Sequence, residues 1–528
     1  MNFLVHHLLR TSTQRLPDKE ALVHGNQRLT YQEVARQSAG LAQSLRHLGL
    51  QAEERIGLWL NPSVPQVLSI FGVAQAGGAF VPINDALFPN QVAHIVNDCR
   101  MKGLITDGTK LARLCEIIDT LPSLEFIIVV GGEPLSELCL PLYSFEDLCA
   151  TFPLMPWQDW GIEKSLAAIL YTSGSTGKPK GIMLSHANIM AGASIVTTYL
   201  GISEGERILA VLPFSFDAGL NQLMTAFQQG GTIVLTTFVF ARELVQLLLK
   251  EAITGLAGVP TLWSLIAQPS AGMQKNCFPH LRYITNTGGA IPQNVLAVLR
   301  QALPTTQIFL MYGLTEAFRS TYLPPDELDR RPTSIGKAIP NTEILVINEQ
   351  GQLCQPGEIG ELVHRGPTVS LGYWGHPTLN EQVFRAHPLL PPEQASFERV
   401  CYSGDLVKMD EEGFLYFIGR RDTLIKSSGY RISPTEVEEI LFQSGKVRGA
   451  AVIGLPDPLL GQQVKAFVVP KEGELIDPAQ LLAFCTERMP RYMAPKWIEV
   501  LEDLPKTSSG KVNYPALHQR QLPVIRNQ

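Results

Sequence analysis

The segment YTSGSTGKPKG, Tyr171–Gly181, lies between two short apolar runs, Leu166–Leu170 and Ile182–Leu184. Its glycines allow positive φ and let the backbone turn its N–H groups onto an anion. Its hydroxyl and ammonium donors are Ser173, Ser175, Thr176, Lys178 and Lys180. Glycine and proline do not fall at the spacing of a Walker loop, because Pro179 stands five residues after Gly174. The segment therefore predicts a polyphosphate-binding loop of another kind between two buried strands, and a flexible surface linker is the alternative.

Length and composition restrict the class of protein. At 528 residues the chain predicts three or four domains or subdomains, and 45% hydrophobic with 17% charged residues is typical of a well-packed protein. A net charge of −6 argues against nucleic acid as a partner. The 8 cysteines form no C-x-x-C pair, which favours reduced thiols and a cytoplasmic location.

No part of the sequence has the pattern of a membrane segment. His6, His7 and Arg10 interrupt the N-terminal apolar residues, so a signal peptide is not expected. The longest apolar stretch, Ile56–Ile83, is broken by asparagine, glutamine and proline residues. We therefore expect no membrane span, while docking to a membrane surface stays open.

Helical and strand patterns alternate through most of the chain. Tyr31–Leu48 has helical spacing, and short apolar runs such as Phe126–Val130 and Thr232–Leu235 predict buried strands. This alternation predicts an α/β fold of layered sheets and helices in a large N-terminal domain, residues 1–419. Shorter strands with turn signals predict a β-rich subdomain at 340–419.

A further change in the sequence pattern, after Gly419, predicts a hinge at 420–422 and a small, mobile α+β domain at 423–528. In this domain Ser433, Pro434 and Glu436 are an N-cap, a first helical residue and a capping-box glutamate. Glu438 and Glu439 are expected to be structural residues of the same first helical turn, where negative charge suits the helix dipole.

Five further segments stand in a fixed order behind the phosphate loop. They are NTGGAIP (286–292), MYGLTEA (311–317), YSGDL (402–406), GRRDTLIKSSGYR (419–431) and PKTSSGKV (505–512). With the loop, they resemble the AMP-forming adenylating enzymes, the superfamily of acyl-CoA synthetases, amino-acid adenylation domains and luciferase-type ligases. The chain looks most similar to acyl-CoA ligases associated with exosortase gene clusters. The resemblance covers essentially the whole chain.

The resemblance implies an ATP site and a catalytic set. ATP is implied to bind at Thr172, Ser173, Gly174, Ser175, Gly177, Gly288, Gly289, Ala290, Tyr312, Gly313, Thr315, Asp405 and Arg420. The catalytic residues implied are Thr176, Lys180, Glu316 and Lys511. Glu316 is the implied Mg²⁺ ligand, in keeping with the preference of this hard ion for carboxylates and phosphates. Asp405 is implied to hold the ribose.

The resemblance also implies two reaction steps. A substrate carboxylate attacks the α-phosphorus of ATP and gives acyl-AMP and pyrophosphate, with Lys511 neutralising charge. The small domain then turns about Asp422 and brings Lys426 and Gly429 to the site for thioester formation with CoA. ATP, Mg²⁺ and CoA are therefore the expected cofactors and co-substrates.

The acid is less well indicated. Phe216, Asp217, Val259 and Pro260 fall where the family builds its substrate pocket. Asp217 resembles the aspartate that holds a substrate ammonium in amino-acid adenylation domains, and a helix cap is the alternative. Arg319 is a candidate for a substrate carboxylate, a phosphate or an ion-paired surface position.

We therefore predict an ATP-dependent acid–thiol ligase with CoA as acceptor. Two alternatives stay open: a standalone amino-acid adenylation enzyme that loads a separate carrier protein, and a non-catalytic ATP-binding partner. A luciferase-like oxygenase is a remote third. No carrier module follows Lys511 in this sequence, so any carrier is expected to be a separate chain.

Overall fold

The computed structural model describes residues 2–132, 140–150, 157–173, 179–237, 240–395, 398–421, 424–427, 430–457, 461–491, 493–507 and 511–520. Its strands are β1 Glu20–His24, β2 Gln27–Thr30, β3 Arg55–Trp59, β4 Ala79–Pro82, β5 Gly103–Asp107, β6 Phe126–Val130, β7 Leu142–Ser144, β8 Leu166–Ser173, β9 Pro179–Ser185, β10 Arg207–Ala210, β11 Thr232–Leu235, β12 Gly255–Gly258, β13 Tyr283–Asn286, β14 Gln307–Leu314, β15 Ala317–Leu323, β16 Ser334–Ala338, β17 Glu343–Ile347, β18 Ile359–Arg365, β19 Gly372–Tyr373, β20 Phe384–Ala386, β21 Arg399–Met409, β22 Leu415–Arg420, β23 Ile425–Ser427, β24 Tyr430–Ile432, β25 Val447–Asp457, β26 Gly461–Pro470 and β27 Trp497–Val500.

The α-helices alternate with these strands. They are α1 His6–Arg15, α2 Tyr31–His47, α3 Val64–Gln75, α4 Pro89–Asp98, α5 Gly108–Leu114, α6 Phe145–Ala150, α7 His186–Leu200, α8 Asp217–Gln229, α9 Ala241–Lys250, α10 Pro260–Ile266, α11 Gln293–Ala302, α12 Pro377–Val383, α13 Pro392–Ala395, α14 Pro434–Gln443, α15 Pro478–Arg488 and α16 Tyr514–Gln519. The α/β fold predicted from the alternating pattern is confirmed.

The first sheet has eight strands in the order β19-β9-β8-β4-β3-β5-β6-β7. Strands β4, β3, β5 and β6 are parallel, and β8 and β9 form the antiparallel hairpin that carries the predicted phosphate loop. Side chains from both sheets, such as Phe80 and Ile233, join one buried core with Phe71 of α3 and Phe227 of α8. This core, which excludes water, holds the two sheets against a shared helical layer.

The second sheet has fourteen strands and runs β17-β18-β21-β22-β16-β15-β14-β13-β12-β10-β11-β1-β2, with β20 paired to β21. Strands β10 to β14 are parallel in its middle, while β15 to β22 are antiparallel. The predicted β-rich segment thus continues this sheet, because Gly336 of β16 pairs with Leu415 of β22. The domain limits 1–419, 340–419, 420–422 and 423–528 stay predictions.

The third sheet has five strands and contains only residues that follow Leu424. Its helix α14 begins as predicted, with the Ser433 hydroxyl accepting a hydrogen bond from the Glu436 N–H. Glu438 lies on the face of α14 that packs on the sheet, and its Oε1 accepts bonds from the Val452 N–H at 2.9 Å and the Tyr514 hydroxyl at 3.1 Å. Burial raises the pKa of this carboxyl to about 8. Glu438 is therefore a packed group rather than a dipole-facing surface charge.

Within the described ranges, the helices are all too short or too polar to cross a bilayer.

Candidate active site

The parallel strands of the large sheet end along one edge, where the predicted site residues gather. Gly258 at the end of β12 pairs with Asn286 at the end of β13, and Asn286 pairs with Leu310 of β14, which continues four residues beyond that point to Leu314. Open parallel sheets bind ligands beyond the carboxyl ends of their strands. The loops that follow these strand ends carry the predicted pocket and ATP residues.

Lys511 reaches this edge from the C-terminal part of the chain. Its Nζ lies 5.6 Å from the centre of the Phe216 ring, a cation–π distance. Gly288 has φ of +79°, and a Cβ atom placed there would lie 3.4 Å from Lys511 Cε and 3.4 Å from Val259 Cγ1. The lysine and the valine thus lie within contact reach of this glycine, and Phe216, Val259, Gly288 and Lys511 form one wall.

Gly289 and Ala290 continue this wall as an exposed surface. The Asn286 amide donates to the Gly289 carbonyl at 2.7 Å, which fixes the turn after β13. A Cβ at Gly289 would lie 3.3 Å from Pro260 Cγ, so Pro260 lies close behind it. The structure thus brings together Gly288, Gly289 and Pro260, as a narrow surface on which a flat base would fit.

The hairpin between β14 and β15 presents Thr315 and Glu316. Leu314 pairs with Ala317, so these two half-buried residues form a two-residue turn at the strand end. The Tyr373 hydroxyl donates to Glu316 Oε1 at 2.5 Å, and the Ser370 N–H donates to the Glu316 carbonyl at 2.9 Å. Burial and the neighbouring Glu316 charge raise the pKa of Tyr373, so its phenol keeps the proton that it donates.

Tyr373 connects Glu316 to the phosphate-loop hairpin. It belongs to β19, where it pairs with Ile182 of β9, two residues after Lys180. Lys180 in turn pairs with Thr172 of β8, and both are half-buried at the loop end of that hairpin. Sequence reasoning missed Tyr373, because Gly-Tyr-Trp-Gly at 372–375 lies 57 positions from Glu316 and carries no spacing signal.

A second carboxylate, Asp405, lies on β21 and is 7% exposed. It accepts a hydrogen bond from the Tyr312 hydroxyl, and its Oδ1 lies 3.5 Å from Arg420 Nε. Burial and Asp405 together raise the pKa of Tyr312 well above its ordinary value, which keeps this phenol a donor. Tyr312, Asp405 and Arg420 are thus brought together. Gly313 follows Tyr312, and its missing side chain admits the Arg319 backbone, since a Cβ there would lie 2.8 Å from Arg319 N.

Several predicted residues cannot be placed. Gly174, Ser175, Thr176, Gly177, Asp422 and Gly429 lie outside the described residues, as do the side chains of Ser173 and Lys426.

Asp217 is the first residue of α8, and its neighbour Phe216 is the N-cap. Its Oδ1 accepts a local bond from the Ala218 N–H at 2.7 Å, and α8 has no side-chain cap bond, so the N-cap interpretation of Asp217 is wrong. The half-buried carboxylate lines a small cavity together with Asn188, Asn221 and Phe318. The arrangement would accommodate a group that needs a carboxylate partner.

Arg319 is buried, at 4% exposure, and is not the surface residue that one interpretation of the sequence allowed. A β-bulge in the β14–β15 pairing carries it, with φ of +51°, a conformation that residues other than glycine rarely adopt. Its guanidinium donates to Thr287 Oγ1 at 2.7 Å, one residue before Gly288. Backbone strain of this kind often accompanies functional sites.

Comparison with known proteins agrees with this geometry. Residues 9–374 match the model of the AMP-binding enzymes, and residues 436–511 match that of the AMP-binding enzyme C-terminal domain. The chain is 31% identical to the feruloyl-CoA synthase of an Amycolatopsis species, over 94% of each chain. It is 32% identical, over 97% of its length, to the Delta-poly-L-ornithine synthetase of Acinetobacter baumannii (strain AB307-0294), and spans 36% of that protein.

Among solved structures, an anthranilate CoA ligase in complex with anthranoyl-AMP superposes with a TM-score of 0.88 at 27% identity, covering 98% of this chain and 97% of the other. The fold, the two family models and these relatives agree over nearly the whole length. The chain belongs to the family of AMP-binding enzymes.

Proposed function

We propose that this protein is an ATP-dependent acid–thiol ligase that converts a carboxylic acid to acyl-AMP, releases pyrophosphate, and then forms an acyl-CoA thioester. The observation that supports this proposal most is the position of Lys511. Its ammonium group lies beside Phe216 and Gly288, at the edge of the sheet that also presents Glu316 and Asp405. This set combines one cation with two carboxylates that accept hydrogen bonds from tyrosine hydroxyls.

The first step needs little acid–base catalysis, since a carboxylate is already a nucleophile at neutral pH. Positioning and neutralisation of charge supply most of the acceleration in reactions at phosphorus. Lys511 would neutralise the charge that develops between the acid and the α-phosphate. Asp405, oriented by Tyr312, would accept from the ribose hydroxyls, and Gly288 to Ala290 would lie along the base.

The donor set fits a magnesium ion. Glu316 is a half-buried carboxylate whose Oε1 is oriented by Tyr373, and hard cations prefer such oxygen ligands. Glu316 would hold the ion, and Thr315 in the same turn would meet the α-phosphate. Bound Mg²⁺ would supply charge neutralisation for the phosphates and the leaving pyrophosphate. Lys180 and Thr172 at the loop end of the β8–β9 hairpin would add further phosphate contacts.

The second step is assigned to CoA because the feruloyl-CoA synthase matches 94% of both chains, without a large unmatched portion. In this proposal the part of the chain after the hinge at 420–422 turns about Asp422, withdraws Lys511 and presents Lys426 and Gly429. Both thiol acceptor and nucleotide are cytoplasmic metabolites, so we infer a cytoplasmic location.

A second candidate is adenylation of an amino acid for a separate carrier protein. Asp217 supports this candidate, because its carboxylate lines a cavity and does not act as the N-cap of α8. The similarity to a synthetase of an ornithine polymer agrees with this candidate, although that protein is nearly three times longer than the match.

Pyrophosphate release from Mg-ATP, measured across fatty, aryl and amino acids with and without CoA, tests both candidates. Release with a fatty or aryl acid that rises with CoA, and that falls at least 100-fold in Lys511→Ala, would support the ligase. Lys506→Ala is the matched control, since Lys506 lies on the same loop but pairs with Asp503 at 3.0 Å.

Pyrophosphate release that occurs only with amino acids and does not change with CoA would favour carrier loading. Asp217 would then be the residue that binds the ammonium group of the amino acid. Tight ATP binding without pyrophosphate release in the presence of any acid would overturn both enzymatic candidates. The non-catalytic ATP-binding partner would then be the interpretation that stands.

A further inference from the structure

Arg319 is a buried cation without a carboxylate. Its side chain donates to a neutral hydroxyl, Thr287 Oγ1, while its Nε is buried and has no hydrogen-bond partner in the described part of the chain. No ion pair to it is formed by any carboxylate among the placed residues. By contrast Arg331, which is 8% exposed, pairs with Glu327, Asp410 and Glu412. Buried charges are ordinarily paired, so an anion from a bound molecule would suit Arg319.

The guanidinium lines a small cavity between α7, α8 and the parallel strands. Val196 and Leu200 make one side apolar, and Asn221, Gln222 and Thr225 make the other side polar. Gln222 Oε1 is also buried without a hydrogen-bond partner in the described residues. The cavity thus combines an apolar wall with a guanidinium Nε and a carboxamide oxygen that both lack a hydrogen-bond partner among the described residues.

This cavity lies directly behind the reacting end of the candidate site. Arg319 is bonded to Thr287, and the next residue, Gly288, contacts the Lys511 side chain. Ala218 lines the cavity and follows Phe216 and Asp217 on α8. Asn221 lines both this cavity and the one that contains Asp217. An acid with its reacting carboxylate at Lys511 would therefore extend towards Arg319.

From this arrangement we propose that the substrate is a dicarboxylic acid whose second carboxylate binds Arg319 in the cavity between α7 and α8. A guanidinium offers parallel N–H donors that match a carboxylate, and the Gln222 amide would add a donor from the facing helix. The proposal rests on the ligase function proposed above and names its substrate class. Arg319 is in this view a specificity residue, which binds the end of the acid that does not react.

The test compares acids of equal carbon number that differ only at the far end. Pyrophosphate release is measured for α,ω-dicarboxylic acids against the matching straight-chain monocarboxylic acids, and for phthalic, isophthalic and terephthalic acid against the ortho-, meta- and para-toluic acids. We expect at least one dicarboxylic acid to exceed its partner by tenfold or more in kcat/KM. In Arg319→Gln this ratio should fall at least tenfold, mainly through KM. Arg331→Gln, which removes another buried arginine, should leave the ratio unchanged.

Two results would overturn the proposal while leaving the ligase intact: preference for the monocarboxylic acid in every pair, or an unchanged ratio in Arg319→Gln. A third result would also overturn it: Arg319→Gln binds ATP more weakly than wild type in calorimetry without any acid. The guanidinium would then bind a phosphate of ATP rather than the acid.

If no acid releases pyrophosphate, the ligase fails. The proposal is then judged by calorimetric binding of the dicarboxylic acids themselves, and equal affinity in wild type and Arg319→Gln would refute it. Should Arg319→Gln not fold, Arg319→Lys keeps the charge but loses the planar fork. The proposal then requires a reduced but persistent dicarboxylate preference, and an unaltered or reversed preference contradicts it.

Discussion

Replacing Tyr373 with phenylalanine tests how Glu316 is held. The Tyr373 hydroxyl is the side-chain donor to the Glu316 carboxylate, whereas the ring is 8% exposed and packs 5.9 Å from Phe384. Phenylalanine preserves that packing and the β19–β9 pairing, so the variant should fold. The substitution removes one hydrogen bond and nothing else from the candidate metal site.

A hydrogen bond to a charged group is worth about 1.5–3 kcal/mol. If that energy is needed in full to keep Glu316 oriented in the transition state, kcat/KM falls by about 10- to 150-fold, since about 1.4 kcal/mol is a factor of ten. The Mg²⁺ concentration at half-maximal rate should rise as well, because a less ordered carboxylate is a poorer ligand.

The assay is pyrophosphate release over a titration of Mg²⁺, with thermal unfolding as a check on folding. Tyr416→Phe is the matched control, because Tyr416 also donates to a carboxylate, Asp410 Oδ2 at 3.1 Å, but lies outside the site. A Tyr373→Phe rate within twofold of wild type at every Mg²⁺ concentration would refute the role given to this hydroxyl.

Two further predictions concern a glycine and a half-buried acid. Gly288→Leu should lower pyrophosphate release at least tenfold, because its Cβ would already touch Lys511 Cε at 3.4 Å and the atoms beyond the Cβ would displace the lysine. Gly351→Leu has the same backbone strain (φ of +78° against +79°), no neighbour within 4 Å of its Cβ, and should keep full activity. In both variants the strain itself costs about 1–2 kcal/mol of stability, seen as a lower Tm; equal activities would contradict the Lys511 placement. The pKa of Glu438 is raised to about 8 in the folded protein, so the folded state binds this proton more tightly than the unfolded state does. The stabilisation is therefore present at acidic pH and is lost as the pH rises through 8. Wild type should lose roughly 3 kcal/mol more between pH 6 and pH 9 than Glu438→Gln in urea unfolding; parallel pH profiles would show that the carboxyl is not buried as described.

Local patterns were sufficient for individual elements. The apolar runs Phe126–Val130 and Thr232–Leu235 are β6 and β11 without a shift, and Ser433 caps α14, because strand burial and capping depend on adjacent residues. The ordered motifs likewise led to Tyr312, Glu316 and Asp405. The pairing of Gly336 with Leu415, which joins the β-rich segment to the large sheet, had no such signal.

The same limit applies to the site. Tyr373 orients Glu316 from another sheet, and Arg319 is buried by a β-bulge whose partner strand sets its direction. Asp217 stands one residue inside α8, and local sequence does not separate the N-cap from the first helical position. The position of each of these residues depends on distant strand pairing or on a one-residue shift, and local sequence does not reveal either.

The short strand β19 has a consequence for exchanging parts between relatives. It is hydrogen-bonded to β9 at one side and holds Glu316 through Tyr373 at the other, so residues 372–373 tie the phosphate hairpin to the β14–β15 turn. A chimaera that takes 166–185 from one parent and 366–374 from another combines β9 and β19 strands that did not evolve to pair with each other. Crossover points that keep the β8–β9 hairpin, β19 and the β14–β15 turn from a single parent preserve these contacts, and they leave the proposed acid cavity between α7 and α8 free to vary.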